Sequence, residues 1–167
     1  SMRNFYIAPV LMKDVLRQAG LLDQVQRAME WFSGVGEVKV APAAPGMDID
    51  AFNTSLMGRM ASVLMLEDSP YKWAYLQALS RWIDNGFAIV DGTKPCFKED
   101  GSMYHHRKSY PAYAVGGLDG AVNSVWLLRG TQLAVSPQSH QTLKDALLQM
   151  RFWCNLRSFP LAMSGRH

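Results

Sequence analysis

The chain has 167 residues, 49% of them hydrophobic and 19% charged, which excludes an intrinsically disordered polymer and allows one domain with a real core. Its formal net charge of +3 is too mild to point to a nucleic-acid or membrane-surface binder, although clustered cations would suit an anionic ligand. No apolar run is long enough to span a bilayer, and the N-terminus lacks the basic, apolar, small-residue order of a signal peptide. Ser1-Met2 reads as an expression scar.

The first period is helical. Leu11, Val15, Leu22, Val25, Met29 and Phe32 step by threes, fours and sevens and predict one apolar stripe. Gly20 weakens or splits it, Gly34 and Gly36 end it, and Ala41-Pro42-Ala43-Ala44-Pro45-Gly46 reads as a loop. A second helix is expected from Asp48 or Asp50 as cap, with Phe52, Leu56, Met60, Val63 and Leu64 inward. A third opens at Ser69-Pro70, with serine as N-cap and proline at the first helical position. It carries Trp73, Leu76, Leu79, Ile83 and Phe87 and leaves at Asn85-Gly86.

From Asp91 to Tyr110 no period is sustained, so this stretch is expected to be a long loop, and long ordered loops are disproportionately functional. A fourth helix starts at Pro111 with Val115, Leu118, Val122, Val125 and Trp126 inward. A fifth starts at Ser136-Pro137, carries Leu143, Leu147, Met150 and Cys154, and is closed by Pro160. No strand pattern competes. The predicted architecture is all-α, built of antiparallel helical hairpins, with the five tryptophans mostly on or beside the apolar stripes.

Residues 98–113 concentrate the reactive groups, with two histidines, three tyrosines and several cations where a loop enters a helix. Tyr113 falls in the first turn of that helix. Gly116, Gly117 and Gly120 share its face and leave space either for a sugar or for the close approach of another helix; spacing leaves both open. Cys96 and Cys154 are read as free thiols rather than a disulfide. His105, His106, His140, His167 and the cysteines have no zinc-ligand spacing. Gly34-Val35-Gly36 is too short for a dinucleotide fingerprint, and Ser164-Gly165 is no nucleophile elbow.

Asp100-Gly101-Ser102, His106, Tyr110-Pro111-Ala112-Tyr113 and Pro160-Leu161-Ala162-Met163-Ser164-Gly165-Arg166-His167 resemble the active-site segments of chondroitin-sulfate ABC lyases, polysaccharide lyase family eight. Asp48-Ile49-Asp50-Ala51-Phe52-Asn53-Thr54 and Ser69-Pro70-Tyr71-Lys72 are similar to the same family. The resemblance covers most of the chain from Asp48 onward. It implies that residues 1–167 form part of an incomplete (α/α) toroid, the catalytic domain of a larger lyase. It also implies cleavage of chondroitin and dermatan sulfates by β-elimination, with an unsaturated uronate as product, in the periplasm or outside the cell. His106, Tyr113 and Arg166 match the family's catalytic histidine, tyrosine and arginine.

The chemistry requires such groups. The uronate carboxylate must be neutralised, a base must take the C5 proton, and an acid must meet the glycosidic oxygen. A phenol can donate to that oxygen, an imidazole is suited to be a base near neutrality, and a guanidinium fork suits charge. Glucuronate and iduronate are epimers at C5, so the initial expectation divides the work: Tyr113 serves the glucuronate face and His106 the iduronate face. His105, Arg107, Lys108 and His167 are candidate contacts to substrate sulfate or carboxylate, and Trp126 is a candidate stacking platform. No cofactor is expected, with a divalent cation left open for the full-length enzyme. The family also uses a glutamate from beyond this segment, so the isolated chain is expected to be incomplete. A non-catalytic glycosaminoglycan-binding module is the alternative, and a protein-binding helical scaffold the third reading.

Overall fold

The computed structural model describes residues 5–154 together with 157, 158, 160 and 163. The described elements are α1 (Ile7–Leu11), α2 (Lys13–Gln18), α3 (Leu22–Ser33), a 3₁₀ turn (Val35–Lys39), α4 (Ile49–Thr54), α5 (Leu56–Met65), α6 (Pro70–Gly86), β1 (Tyr104–His105), β2 (Lys108–Ser109), α7 (Pro111–Leu128) and α8 (Pro137–Trp153). The fold is helical, as expected, with one two-stranded hairpin added. None of the described helices is long and apolar enough to cross a membrane. The chain divides into two compact units, Ser1–Ala41 with Thr54–Leu79, and Pro42–Asn53 with Ser80–His167.

In the first unit the predicted N-terminal stripe is broken. Gly20, at a φ of 70°, takes a left-handed conformation that glycine adopts without a Cβ penalty and separates α2 from α3. Leu22 and Met29 are buried with Tyr6, Ala61 and Met65, and Val10, Leu16 and Val25 pack against that cluster. Leu11, Val15 and Phe32 were expected to join it but are exposed, Leu11 by 81%. The split at Gly20 changes the helix phase, so one seven-residue period no longer runs through both halves. Gly34 ends α3 in the left-handed conformation, the ordinary helix stop. Buried Arg59 on α5 donates to the Ser33 carbonyl (3.3 Å) and pairs with Glu37. That pair satisfies a charge that would otherwise be costly to bury.

α4 and α5 replace the single second helix predicted, because Asn53-Thr54-Ser55 are three weak helix formers in a row. Phe52, Leu56, Met60 and Val63 are buried as expected, whereas Leu64 is exposed. At the start of α6 the Ser69 hydroxyl accepts from the Lys72 N–H at 3.1 Å, the predicted cap. Leu79, Ile83 and Phe87 are buried and Trp73 is exposed.

The second unit is centred on Phe52, Phe87 and Phe97, whose rings lie 4.8 to 5.9 Å apart. All three are almost fully buried, and each contributes roughly 1.5–3 kcal/mol by leaving water. α8 begins at Ser136, whose hydroxyl accepts from the Ser139 N–H at 3.2 Å. It ends at Trp153 with Cys154 extended, ahead of Pro160. Leu143 and Met150 are buried while Leu147 is exposed. Both cysteines are free, Cys96 buried and Cys154 half-buried, and burial pushes the Cys96 thiol pKa up.

α7 departs most from its predicted face. Its buried residues are Pro111, Ala114, Gly117, Leu118, Ala121 and Ser124, a mostly small set, while Val115, Val122 and Trp126 are exposed. The reason is proximity to α4. A Cβ on Gly120 would lie 2.0 Å from the Phe52 carbonyl oxygen, and one on Gly117 would lie 2.5 Å from the Ile49 carbonyl oxygen. The glycine row admits a helix, not a sugar. Bulky residues are driven to the opposite face.

Candidate active site

The stretch from Asp91 to Tyr110 is an ordered loop. Val90 donates to the Phe97 carbonyl, Tyr104 to Cys96 and Tyr110 to Met103, at 3.0 to 3.1 Å. These bonds carry the chain into the hairpin, where Tyr104 faces Ser109 and His105 faces Lys108. Strands of two residues have no legible alternation, which is why the pattern reading missed them. The two turn residues, His106 and Arg107, stand at φ 50° and 63°. This is the backbone of a primed two-residue turn, normally filled by Asn-Gly.

Left-handed backbone at a bulky residue costs about 1 kcal/mol or more, and such strain collects at functional sites. Arg107→Gly is therefore expected to stabilise the folded protein by about 1 kcal/mol. A rise in the urea midpoint at unchanged slope checks this; a lowered midpoint would refute it.

The turn aims the reactive side chains at the first turn of α7, where Pro111 occupies the first helical position and presets its φ. The rings of His105, His106, Tyr110 and Tyr113 form one cluster. His106 and Tyr113 lie 5.6 Å apart and nearly perpendicular at 86°. His105 lies 4.1 Å from Tyr113, tilted by 31°, and 4.0 Å from His106. Tyr110 is 4.9 Å from Tyr113. His106 is exposed and Tyr113 half-buried, so the cluster has a solvent side on which a ligand can rest. The Asn53 amide fills the space beside Gly116, three residues beyond Tyr113 on the same helix.

The structure sorts the other candidates. His105 is only 8% exposed, and its Nδ1 lies 2.8 Å from Asp48 Oδ1. Tied to the half-exposed Asp48 carboxylate, it has little surface left to present to a substrate, which corrects its expected role. Lys108 and Arg107 remain exposed; the Lys108 ammonium lies 4.7 Å over the Tyr110 ring and adds positive charge at the edge of the cluster. Trp126 is exposed but stands thirteen residues along α7 from Tyr113, about 20 Å at helical rise. Arg129 stacks on it at 4.2 Å. Trp126 is thus no platform for a sugar ring at Tyr113. Arg166 and His167 lie outside the described residues. Among the described residues no group of three His, Cys, Asp or Glu side chains is arranged to hold a metal ion.

Asp48 is the residue that the sequence reading undervalued. It was read as a helix cap, and Oδ1 does accept from the Asp50 N–H at 3.0 Å. The same oxygen also meets His105. The two are 57 positions apart, and no local spacing rule reaches that far.

The cluster bears on the expected division of labour between His106 and Tyr113. An edge-to-face pair at 5.6 Å is in van der Waals contact. A pyranose does not fit between the rings as they stand, so both line the same side of the cluster. They form one wall.

Comparison with known proteins agrees with the residues that first suggested a lyase. The chain is 53% identical over its full length to a chondroitin sulfate ABC exolyase of Bacteroides thetaiotaomicron, of which it covers 16%. It is 32% identical over 99% of its length to a chondroitin sulfate ABC exolyase of Proteus vulgaris, covering 17%. A chondroitin sulfate ABC endolyase of Proteus vulgaris is 29% identical, again with 17% covered. The chain thus spans about one sixth of the length of these relatives. The family described as "Lyase, catalytic" matches residues 1–167, and the chain belongs to that catalytic lyase family.

Proposed function

We propose that this chain supplies the acid–base wall of a glycosaminoglycan lyase that cleaves chondroitin and dermatan sulfates by β-elimination. The carrying observation is the contact between His106 and Tyr113 on the solvent side of one ring cluster. The similarity to chondroitin sulfate ABC lyases over the full length of the chain supports the substrate class. The wider reading is part of an incomplete (α/α) toroid in a periplasmic or secreted enzyme, completed by that enzyme's remaining domains.

The reaction balances without an added reagent. The C5 proton leaves to a base, C4=C5 forms, the C4–O bond breaks, and the departing oxygen takes a proton. In glucuronate the C5 hydrogen and the C4 oxygen lie on the same side of the ring. A single wall can therefore serve both proton transfers, with Tyr113 donating to the leaving oxygen and His106 beside it as base or as partner of the phenol. Arg166 is assigned to the uronate carboxylate, and Arg107 and Lys108 to sulfate or carboxylate groups along the chain. For iduronate the C5 proton leaves from the other face, which requires a base beyond this wall.

The direct test incubates the full-length protein with chondroitin sulfate and follows the ultraviolet absorbance of the unsaturated uronate. A rise proportional to enzyme is expected. Salt-sensitive binding with no rise would favour the non-catalytic glycosaminoglycan-binding module. Neither binding nor absorbance would leave the protein-binding scaffold.

The one-wall geometry makes a further prediction. His106→Ala should reduce turnover of chondroitin sulfate roughly a hundredfold or more, and at least as much as turnover of dermatan sulfate. Parallel kinetics on the two polymers check it, and a loss confined to dermatan sulfate would restore the two-face arrangement.

A further inference from the structure

We propose that Asp48 and His105 form a positioning pair that holds the Tyr113 phenol at the reacting wall; this rests on the lyase reading above. His105 is almost wholly buried, with Nδ1 2.8 Å from Asp48 Oδ1 and its ring against the ring of Tyr113 at 4.1 Å and 31°. One polar edge of the imidazole is anchored and one face covers the phenol. Asp48 is itself held, because the same carboxylate oxygen accepts from the Asp50 N–H at 3.0 Å.

The pair thus links three separate pieces of chain: the start of α4, the end of β1 and the first turn of α7. Each is short or irregular on its own. The hairpin has two residues per strand and a turn in left-handed backbone, so its own hydrogen bonds do little to fix where His106 and Tyr113 meet. A carboxylate that orients an imidazole fixes the imidazole's tautomer and rotation. A ring stacked on Tyr113 then limits the phenol to one rotamer range. Misplacing a reacting group by about 1 Å costs on the order of a hundredfold in rate, which gives the pair leverage over turnover without contact to substrate.

Asp48→Ala, Asp48→Asn, His105→Phe and the Asp48→Ala/His105→Phe double variant, made in the full-length protein and assayed on chondroitin sulfate, test this. Asparagine keeps an oxygen acceptor for both the imidazole and the Asp50 N–H. Phenylalanine keeps the stacked ring but loses the anchor. We expect Asp48→Ala and His105→Phe each to lower kcat at least about tenfold with KM within about twofold, and Asp48→Asn to stay within about threefold of wild type. The double variant should lose no more than the worse single variant, because both act through one link.

Losses that multiply in the double variant, a rise in KM at unchanged kcat, or wild-type kcat in His105→Phe would overturn the pair. His105→Phe leaves the Asp48 cap on Asp50 in place, so it decides the matter if Asp48→Ala fails to fold. An inactive wild-type protein would instead overturn the lyase reading, and the positioning role with it.

Discussion

Tyr113→Phe in the full-length protein is expected to lower release of unsaturated uronate by roughly 10²- to 10⁴-fold, the range for removing a positioned proton donor. The substitution deletes one oxygen and keeps the ring that touches His105, His106 and Tyr110. The ring packing is therefore preserved, and a loss of turnover at unchanged folding stability reads on the hydroxyl. Both epimers should suffer, because each needs a proton on the departing oxygen whichever face yields the C5 hydrogen. The loss should fall on kcat with little change in KM, since the interaction strengthens as the oxygen gains charge. Full activity in Tyr113→Phe would remove the phenol from the mechanism and leave the ring as a packing element only.

Gly120→Ala is expected to destabilise the fold by about 3 kcal/mol, at the upper end for overpacking a close contact. The added methyl would stand 2.0 Å from the Phe52 carbonyl oxygen and 2.6 Å from its carbon. Those are backbone atoms, so no side-chain rotation relieves the clash, and α4 and α7 must separate. Separation would move Asp48 and the Asn53 amide with α4, so activity should fall together with stability. Denaturant unfolding with parallel turnover measurements checks both. Gly130 is the control: it has open space around it, although its φ of 70° makes Gly130→Ala locally strained, at about 1 kcal/mol. If Gly120→Ala costs no more than Gly130→Ala, close helix packing does not explain the glycine row.

These two variants probe different physical layers. Tyr113→Phe removes the proposed proton donor and keeps the ring, while Gly120→Ala disturbs the packing and leaves every candidate reactive group in the chain. The one-wall site needs both. A turn with His106 and Arg107 in left-handed backbone tolerates its strain only because the surrounding contacts hold it, and α7 is the element that carries Tyr113.

Much of the architecture was readable because its signals are local. Ser69-Pro70 and Ser136-Pro137 start helices in the structure as they do on paper, since a cap is settled within about four residues. Gly20 and Gly34 interrupt the chain at positive φ for a reason that belongs to glycine itself. The candidate site residues His106 and Tyr113 were legible through family resemblance, and the structure brings their rings into contact. Arg166, the third member of that set, lies outside the described residues.

The helical class and the helix starts were set by local signals, because each depends on neighbours a few positions away, whereas the imidazole and phenol at the mouth of α7 were singled out by family resemblance. Long-range contacts settled which face of α7 is buried, why its glycines are there and where His105 belongs. Those depend on Ile49 and Phe52, brought against the helix, and on Asp48, brought to His105, each from more than fifty positions away. An apolar period reports what a residue prefers. Contact with a particular backbone decides what there is room for.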